Sequence, residues 1–216
     1  VNRYHKPRLL PMAATIEAPL KWHVVKDIVQ RGKTDADALS GLGRCIWDYE
    51  DYMAYCRKLK QEWATVSDYM RAKLFNAPTK ENAEGKLEVD IDADTTSSTC
   101  YVLVMKNEFP YTFATEDNIL HINIWSSSEA LSDNVVEQLI ADRLPCDEYV
   151  WFVNPPQLRS VRALWHCHIM LRNLKPSAKL STPGQPELFD ATAFAASRNL
   201  LAFCVEEAIG PSLAVA

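Results

Sequence analysis

The sequence predicts an α+β fold, with a helical N-terminal half packed on an antiparallel sheet of about four strands. Three observations predict it. Apolar residues step by three and four along the first third of the chain, and the second half holds four short aromatic and β-branched segments. A polar, acidic stretch separates the two. The 216 residues, 48% hydrophobic and 24% charged, suffice for one sizeable core, so one domain with extensions is expected.

Residues 1–18 have two prolines' worth of interruption and no periodicity, which predicts an extended basic arm. The helical part follows over 19–76. Pro19 suits the first turn of a helix through Gln30, with Trp22, Val25, Ile28 and Val29 on one face and Gly32 placed to end it. A short helical stretch starts at Asp35 and stops around Gly41 and Gly43. The strongest periodic signal runs through Cys45, Tyr49, Tyr52, Cys56, Leu59, Trp63, Val66, Met70 and Leu74. It predicts one long helix or two abutting ones, broken near Thr65–Ser67, with Ser67 as the cap of the second. Residues 77–98 read as an acidic, solvated linker. Asp90, Asp92 and Asp94 there resemble the start of a calcium loop, but Thr95 replaces the required glycine and Tyr101 the closing glutamate.

Over 99–208 the expected strands are Cys100–Asn107, Ile119–Trp125, Tyr149–Asn154 and Trp165–Leu171. A helix fits Ser132–Leu144, stopped by Pro145, and another fits Ala191–Ala208. Residues 209–216 form a tail. Helices are expected on one face of the sheet.

Composition excludes several classes of function. There are only six glycines, and the 98 residues from Lys86 to Pro183 contain none. No G-x-G-x-x-G and no Walker loop occurs, so nucleotide binding through a glycine-rich loop is excluded. No apolar run approaches the roughly 20 residues of a membrane helix. Six scattered cysteines without C-x-x-C, and no N-x-S/T acceptor, fit an intracellular, reducing compartment, mitochondrial or cytoplasmic. Residues 1–33 carry seven Lys/Arg against two acids, whereas 34–99 carry eight against thirteen. The basic start is consistent with the remnant of an organelle-targeting region. An acidic body argues against broad nucleic-acid contact and leaves RNA contact to the arm alone.

Side chains alternate across a strand, and this separates a candidate site from the core. In the last strand Trp165, Cys167, Ile169 and Leu171 share an apolar face, and His166, His168, Met170 and Arg172 share the other. In the second, Leu120, Ile122 and Ile124 oppose His121 and Asn123. If these strands are neighbours, His121, Asn123, His166, His168 and Arg172 lie on one surface. Three readings stay open: nucleophilic attack on a phosphate by one histidine, a three-histidine metal site, or a structural polar face. No Asp or Glu stands in the strand to complete or orient a metal site, so neither a metal nor a cofactor is expected.

The chain resembles the N-acetylglucosamine-induced protein family, a domain family of unknown function best known from fungi. The residues that carry this are Leu20-Lys-Trp22, Ile28, Leu42-Gly43-Arg44, Tyr52 and Trp63 followed by Val66-Ser67-Asp68-Tyr69 and Leu74. The match continues through Asn107-Glu108-Phe109-Pro110-Tyr111, His121, Trp125, Phe152-Val153-Asn154-Pro155-Pro156, Arg159-Ser160-Val161 and His166-Cys167-His168. More distantly, the order of strands, helix and H-x-H resembles the histidine-triad (HIT-like) superfamily of nucleotide hydrolases and transferases. That resemblance implies a nucleophile at His168 beside His166, with nucleotide contacts from Asn154, Ser160, Arg159, Arg172 and His121. Three departures weaken the implied activity. Met170 replaces the third His or Gln and cannot donate to a phosphoryl oxygen. Four residues separate Val161 from His166, where the superfamily allows fewer. Pro155 and Pro156 offer no N–H where glycines would let backbone approach a phosphate.

The resulting expectation is a non-catalytic, protein-interacting domain with a degenerate HIT-like fold, an accessory subunit of an organellar assembly such as a mitochondrial ribosome. It needs protein partners and no membrane. The alternative is a HIT-like nucleotide phosphoramidate or nucleotidyl hydrolase or transferase, with His168 as nucleophile and a small-molecule nucleotide as its partner.

Overall fold

The computed structural model describes residues 15–94, 100–128 and 130–189. The expected helix Ala191–Ala208, the tail 209–216 and most of the arm 1–18 lie outside the described residues. The α+β class holds: among the described residues, four α-helices accompany an antiparallel five-stranded sheet and a separate two-stranded hairpin.

Helix α1 spans Trp22–Gly32 and starts after Pro19, not at it. The backbone of Leu20 is held extended by an exchange with a later loop, its N–H donating to the Thr112 carbonyl and its carbonyl accepting from the Ala114 N–H. The Asp117 carboxylate then takes the Trp22 N–H at 2.6 Å, satisfying an orphan donor of the first turn. A 3-10 turn over Ala36–Gly41 follows, capped by Asp35. Gly32 is required there by proximity, since a Cβ would stand 2.6 Å from the Leu39 side chain.

The long periodic signal resolves into α2 (Ile46–Glu62) and α3 (Val66–Phe75). The cap of α3 is Thr65 rather than Ser67. The Thr65 hydroxyl accepts the Asp68 N–H at 3.0 Å and donates to the Asp68 carboxylate at 2.6 Å. Ser67, partly buried, accepts the Ala163 N–H instead. Of the stripe on α2, only Leu59 is fully buried.

The segment expected as a solvated linker folds in part into a hairpin, β1 (Thr79–Glu81) with β2 (Leu87–Val89). Gly85, at φ +73°, and the Asn82 carboxamide, which accepts from Glu84 and Lys86 N–H, build the turn. Two of its acids are paired: Asp90 with Lys80 at 3.0 Å and the buried Asp94 with Arg71 at 2.8 Å. The Ala64 N–H donates to the Leu87 carbonyl, fastening the hairpin to the α2–α3 junction.

The main sheet comprises β3 (Tyr101–Lys106), β4 (Ile119–Ser126), β5 (Glu148–Phe152), β6 (Trp165–Arg172) and β7 (Glu187–Leu188), in the order β5-β6-β4-β3-β7. The fifth strand, two residues at the edge, is too short to carry an alternation the sequence could show. In the glycine-free stretch, asparagine takes the left-handed positions. Asn118 and Asn173 flank the Ile119↔Arg172 end of the ladder and bond each other at 2.9 Å.

Helices cover both faces of the sheet, not one. Helix α4 (Asp133–Arg143) lays Val136, Leu139 and Ile140 on Val102, Val104, Ile122, Ile124, Cys167, Ile169 and Leu171. On the opposite face α1 packs on Met170, Phe152 and Tyr111, while Leu74 and Phe75 of α3 pack on Leu103 and Trp125. The histidines lie between these two packings.

Candidate functional site

Strands β4 and β6 are adjacent and antiparallel, with Asn123 opposite His168 and Trp125 opposite His166. The expected surface therefore forms, and it is buried: His121, Asn123, His166, His168 and Asn154 are each 7% exposed or less. Its roof is aromatic and comes in part from outside the strands. Tyr111, in the β3–β4 connection, stacks on His121 with ring centroids 4.8 Å apart. Phe152 stacks on His168 at 5.2 Å and Trp125 on His166 at 4.3 Å.

Hydrogen-bond contacts join the rings. The Tyr111 N–H donates to His121 Nδ1 at 3.4 Å, and His121 Nε2 lies 2.9 Å from His168 Nδ1 and 3.3 Å from the amide nitrogen of Asn107, whose oxygen accepts from the Phe109 N–H. The Asn123 carboxamide donates both to His168 Nδ1 at 3.1 Å and to the Cys167 carbonyl. His168 Nε2 lies 3.0 Å from the Asn154 amide nitrogen. His166 donates from Nδ1 to the Leu164 carbonyl at 3.1 Å.

Burial holds all three rings neutral. It is the largest cause of the depressed pKa of His121, about 3, with the Arg44 and His166 charges adding to it. His166 falls to about 4, chiefly by burial and with Arg159 contributing, although its bond to Leu164 opposes the shift. His168 is pushed well below its ordinary value by burial, then by His121, His166 and Arg44.

The margin of the site is built by the helical half. Arg44 is buried with its guanidinium 4.4 Å from the Tyr52 ring and 5.3 Å from the Tyr111 ring, and donates to the Phe109 carbonyl. Arg159 donates from Nε to the Asn154 carbonyl at 2.7 Å, and the exposed Ser160 stands beside it. The structure thus gathers His121, Asn123, His166, His168, Asn154, Arg159 and Ser160 in one region. Arg172 is elsewhere: at the end of β6 it pairs with Glu148 at 3.2 Å and donates to the Asp117 carbonyl. Among the described residues no group of three His, Cys, Asp or Glu side chains is arranged to hold a metal ion.

Arg44, Tyr52, Asn107, Tyr111 and Phe152 are the site residues that strand reading misses. Their signal was an arginine alone within the otherwise apolar Leu42–Ile46 stretch, and a Pro-Tyr turn joining two strands.

A family model described as a protein of unknown function, DUF3605, matches residues 21–172. The chain belongs to that family. The DUF3605 region contains every histidine and arginine of the site described above. This DUF3605 chain is 28% identical over 171 residues to the uncharacterized protein YPL067C of Saccharomyces cerevisiae, covering 70% of this chain and 78% of that protein. It is 23% identical over 197 residues to N-acetylglucosamine-induced protein 1 of Candida albicans, covering 77% and 74%. A solved structure described as the crystal structure of HTC1 aligns over 85% of this chain and 96% of its own, at 20% identity and a TM-score of 0.45. No helix among the described residues is long and apolar enough to cross a membrane.

Proposed function

We propose that this DUF3605 protein is a non-catalytic domain that works through contacts with other proteins, on a degenerate histidine-triad-like arrangement whose histidines hold the fold. One observation carries the reading. His168, which the resemblance puts in a nucleophile's place, has both ring nitrogens engaged by buried protein groups: Nδ1 lies 2.9 Å from His121 Nε2 and 3.1 Å from the Asn123 amide nitrogen, and Nε2 lies 3.0 Å from the Asn154 amide nitrogen. A nucleophile must present a lone pair to the reacting phosphorus, and this one is turned into the protein and stacked under Phe152. Nor can Met170, fully buried against α1, supply the donor that a transferring phosphoryl group would need.

Support for a role in protein contacts lies on the first turn of α2. Ile46 and Trp47 are 53% and 59% exposed side by side, on a helix that buries only Leu59 fully. Large exposed aromatic side chains are enriched at interfaces.

The test is native sizing of tagged protein purified from its own cells, with cross-links mapped. The expected result is a species heavier than the monomer, cross-linked near Trp47 and released by Ile46→Ser with Trp47→Ser. A free monomer overturns the proposal. So does turnover of an adenosine phosphoramidate that His168→Ala abolishes while the fold is kept.

A further inference from the structure

One end of the main sheet carries a strip of half-buried apolar side chains on the α4 side. There β5 ends, β6 starts, β4 ends, β3 starts and β7 ends, as the antiparallel order requires. Cys100 stands before β3, Val153 follows β5, Trp165 opens β6, and Leu131 and Val135 flank the start of α4. Each packs on the core beneath α4 and each stays half-buried, whereas Ile124, Cys167 and Val136 beside them are fully buried. Helix α4, 11 residues and about 16 Å long, covers one band of a sheet five strands wide and leaves this end half open.

The described chain leaves the sheet at the same end. Phe189 follows β7, its N–H donates to the Cys100 carbonyl at 2.9 Å, and its side chain packs on the core beneath α4. Residues 190–216 come next. Within them 191–208, where the sequence predicts a helix, hold only three charged side chains, Arg198, Glu206 and Glu207. A helix that apolar needs a surface to cover it. Phe194, Leu201 and Val205 share one helical face, at i, i+7 and i+11. At about 1.5 Å per residue they stand about 10 Å and then about 6 Å apart along the axis. With strands about 4.8 Å apart, Cys100 at β3 lies two gaps from Trp165 at β6, and Trp165 lies one gap from Val153 at β5. Those separations, about 10 Å and then about 5 Å, match the helix in order and in size.

We propose that this strip is the docking surface of residues 191–208 of the same chain, laid as a helix across the end of the sheet. Phe194 meets Cys100 and Leu131, Leu201 meets Trp165, and Val205 meets Val153. Asn199, on the opposite side of the helix, faces solvent. The direction follows from the exit at Phe189, which starts the segment at the β7–β3 edge and carries it towards β5. Docked, the segment closes this end of the sheet to other proteins. It uses neither Ile46 nor Trp47, so its failure would leave the protein-contact reading above intact.

The test is amide hydrogen exchange of the full chain, read by mass spectrometry. The amides of 191–208 are expected to exchange about a hundredfold more slowly than in an unstructured chain, equally at low and high protein concentration. Leu201→Ser should return them to the unstructured rate, and Asn199→Ser should leave them protected. Trp165→Ala, far away in sequence, should cut the protection of 191–208 about tenfold while the amides of β4 keep theirs. Should Trp165→Ala fail to fold, Val153→Ser is read in the same way. Unprotected amides in the wild-type chain overturn the proposal. So does protection of 191–208 that survives the strip substitution or Leu201→Ser unchanged. Protection that grows with protein concentration overturns it as well, by giving the strip to a second copy.

Discussion

On one face of the sheet Ile122, Ile124, Cys167, Ile169 and Leu171 meet the aliphatic side of α4. On the other, His121, Asn123, His166 and His168 meet Tyr111, Phe152 and Trp125. The two sets alternate along the same two strands and are buried to similar extents. The first is held by non-directional burial, so side chains of similar volume can replace one another. The second is held by a chain of hydrogen bonds in which each ring needs a particular tautomer and each neighbour a particular polar atom. A one-residue slip of β6 against β4 would exchange the two sets, and the histidine chain would lose every partner. The polar face therefore specifies register in a way the aliphatic face cannot.

The largest expected effect separates the faces by pH. An unfolded chain protonates its histidines near pH 6.5, whereas folded His121 and His166 stay neutral down to about 3 and 4. Between those limits the unfolded state binds more protons, so stability is fully present above pH 6.5 and falls as pH drops below it. At pH 5 these two rings each remove about 2 kcal/mol, and His168 acts in the same direction. Urea unfolding at pH 7.5, 6 and 5 reads this as a falling midpoint. Ser in place of Cys167, on the aliphatic face, should leave the slope intact, whereas His121→Gln should reduce it by one proton. A slope of less than one proton would mean that water reaches the histidine face.

Matched substitutions at adjacent positions sharpen the same contrast. Ile169→Val removes one methyl from the α4 face and is expected to cost about 1 kcal/mol. His168→Leu changes volume little but removes the 2.9 Å partner of His121 Nε2, one of the two partners of the Asn123 amide and the 3.0 Å partner of the Asn154 amide. Each buried group left unpaired costs about 1–3 kcal/mol, so the loss should exceed about 3 kcal/mol by denaturant unfolding. Similar costs for the two variants would place the histidine chain outside the forces that hold the fold.

Much of this was legible in the sequence where period and face coincide. The four longer strands, α4 and the break between α2 and α3 follow from alternation, helical stepping and a polar cap. The gathering of His121, His166 and His168 follows from alternation once β4 and β6 are neighbours. What alternation cannot show is whether a polar face is wet. That depends on the Tyr111 ring, folded back from the connection before β4, and on α1, which packs over Tyr111, Phe152 and Met170 from far away in the chain. Arg44 escaped for the same reason: an arginine in a helical half reads as surface until the fold places Tyr52 and Tyr111 around it. The hairpin escaped because its order comes from contacts of Asn82, Asp94 and the Leu87 carbonyl that follow no period.

The smallest expected effect marks where the polar core ends. Arg172 alternates in phase with His166 and His168, so sequence alone groups it with them. In the fold it is half-buried at the strand end, and it pairs with a Glu148 that also accepts from Lys26 at 2.8 Å. Lys26 above all, with Arg172 the smallest contributor, holds the Glu148 carboxyl below its ordinary range, an exposed and solvent-screened effect. Arg172→Ala should therefore cost under about 1 kcal/mol, and less still in high salt. The acid slope set by the histidines should not move, because none of them contacts Arg172. A loss approaching that of His168→Leu, or an altered slope below pH 6.5, would extend the network along β6 to its end. The face would then be one polar core rather than a buried chain with a screened ion pair at its rim.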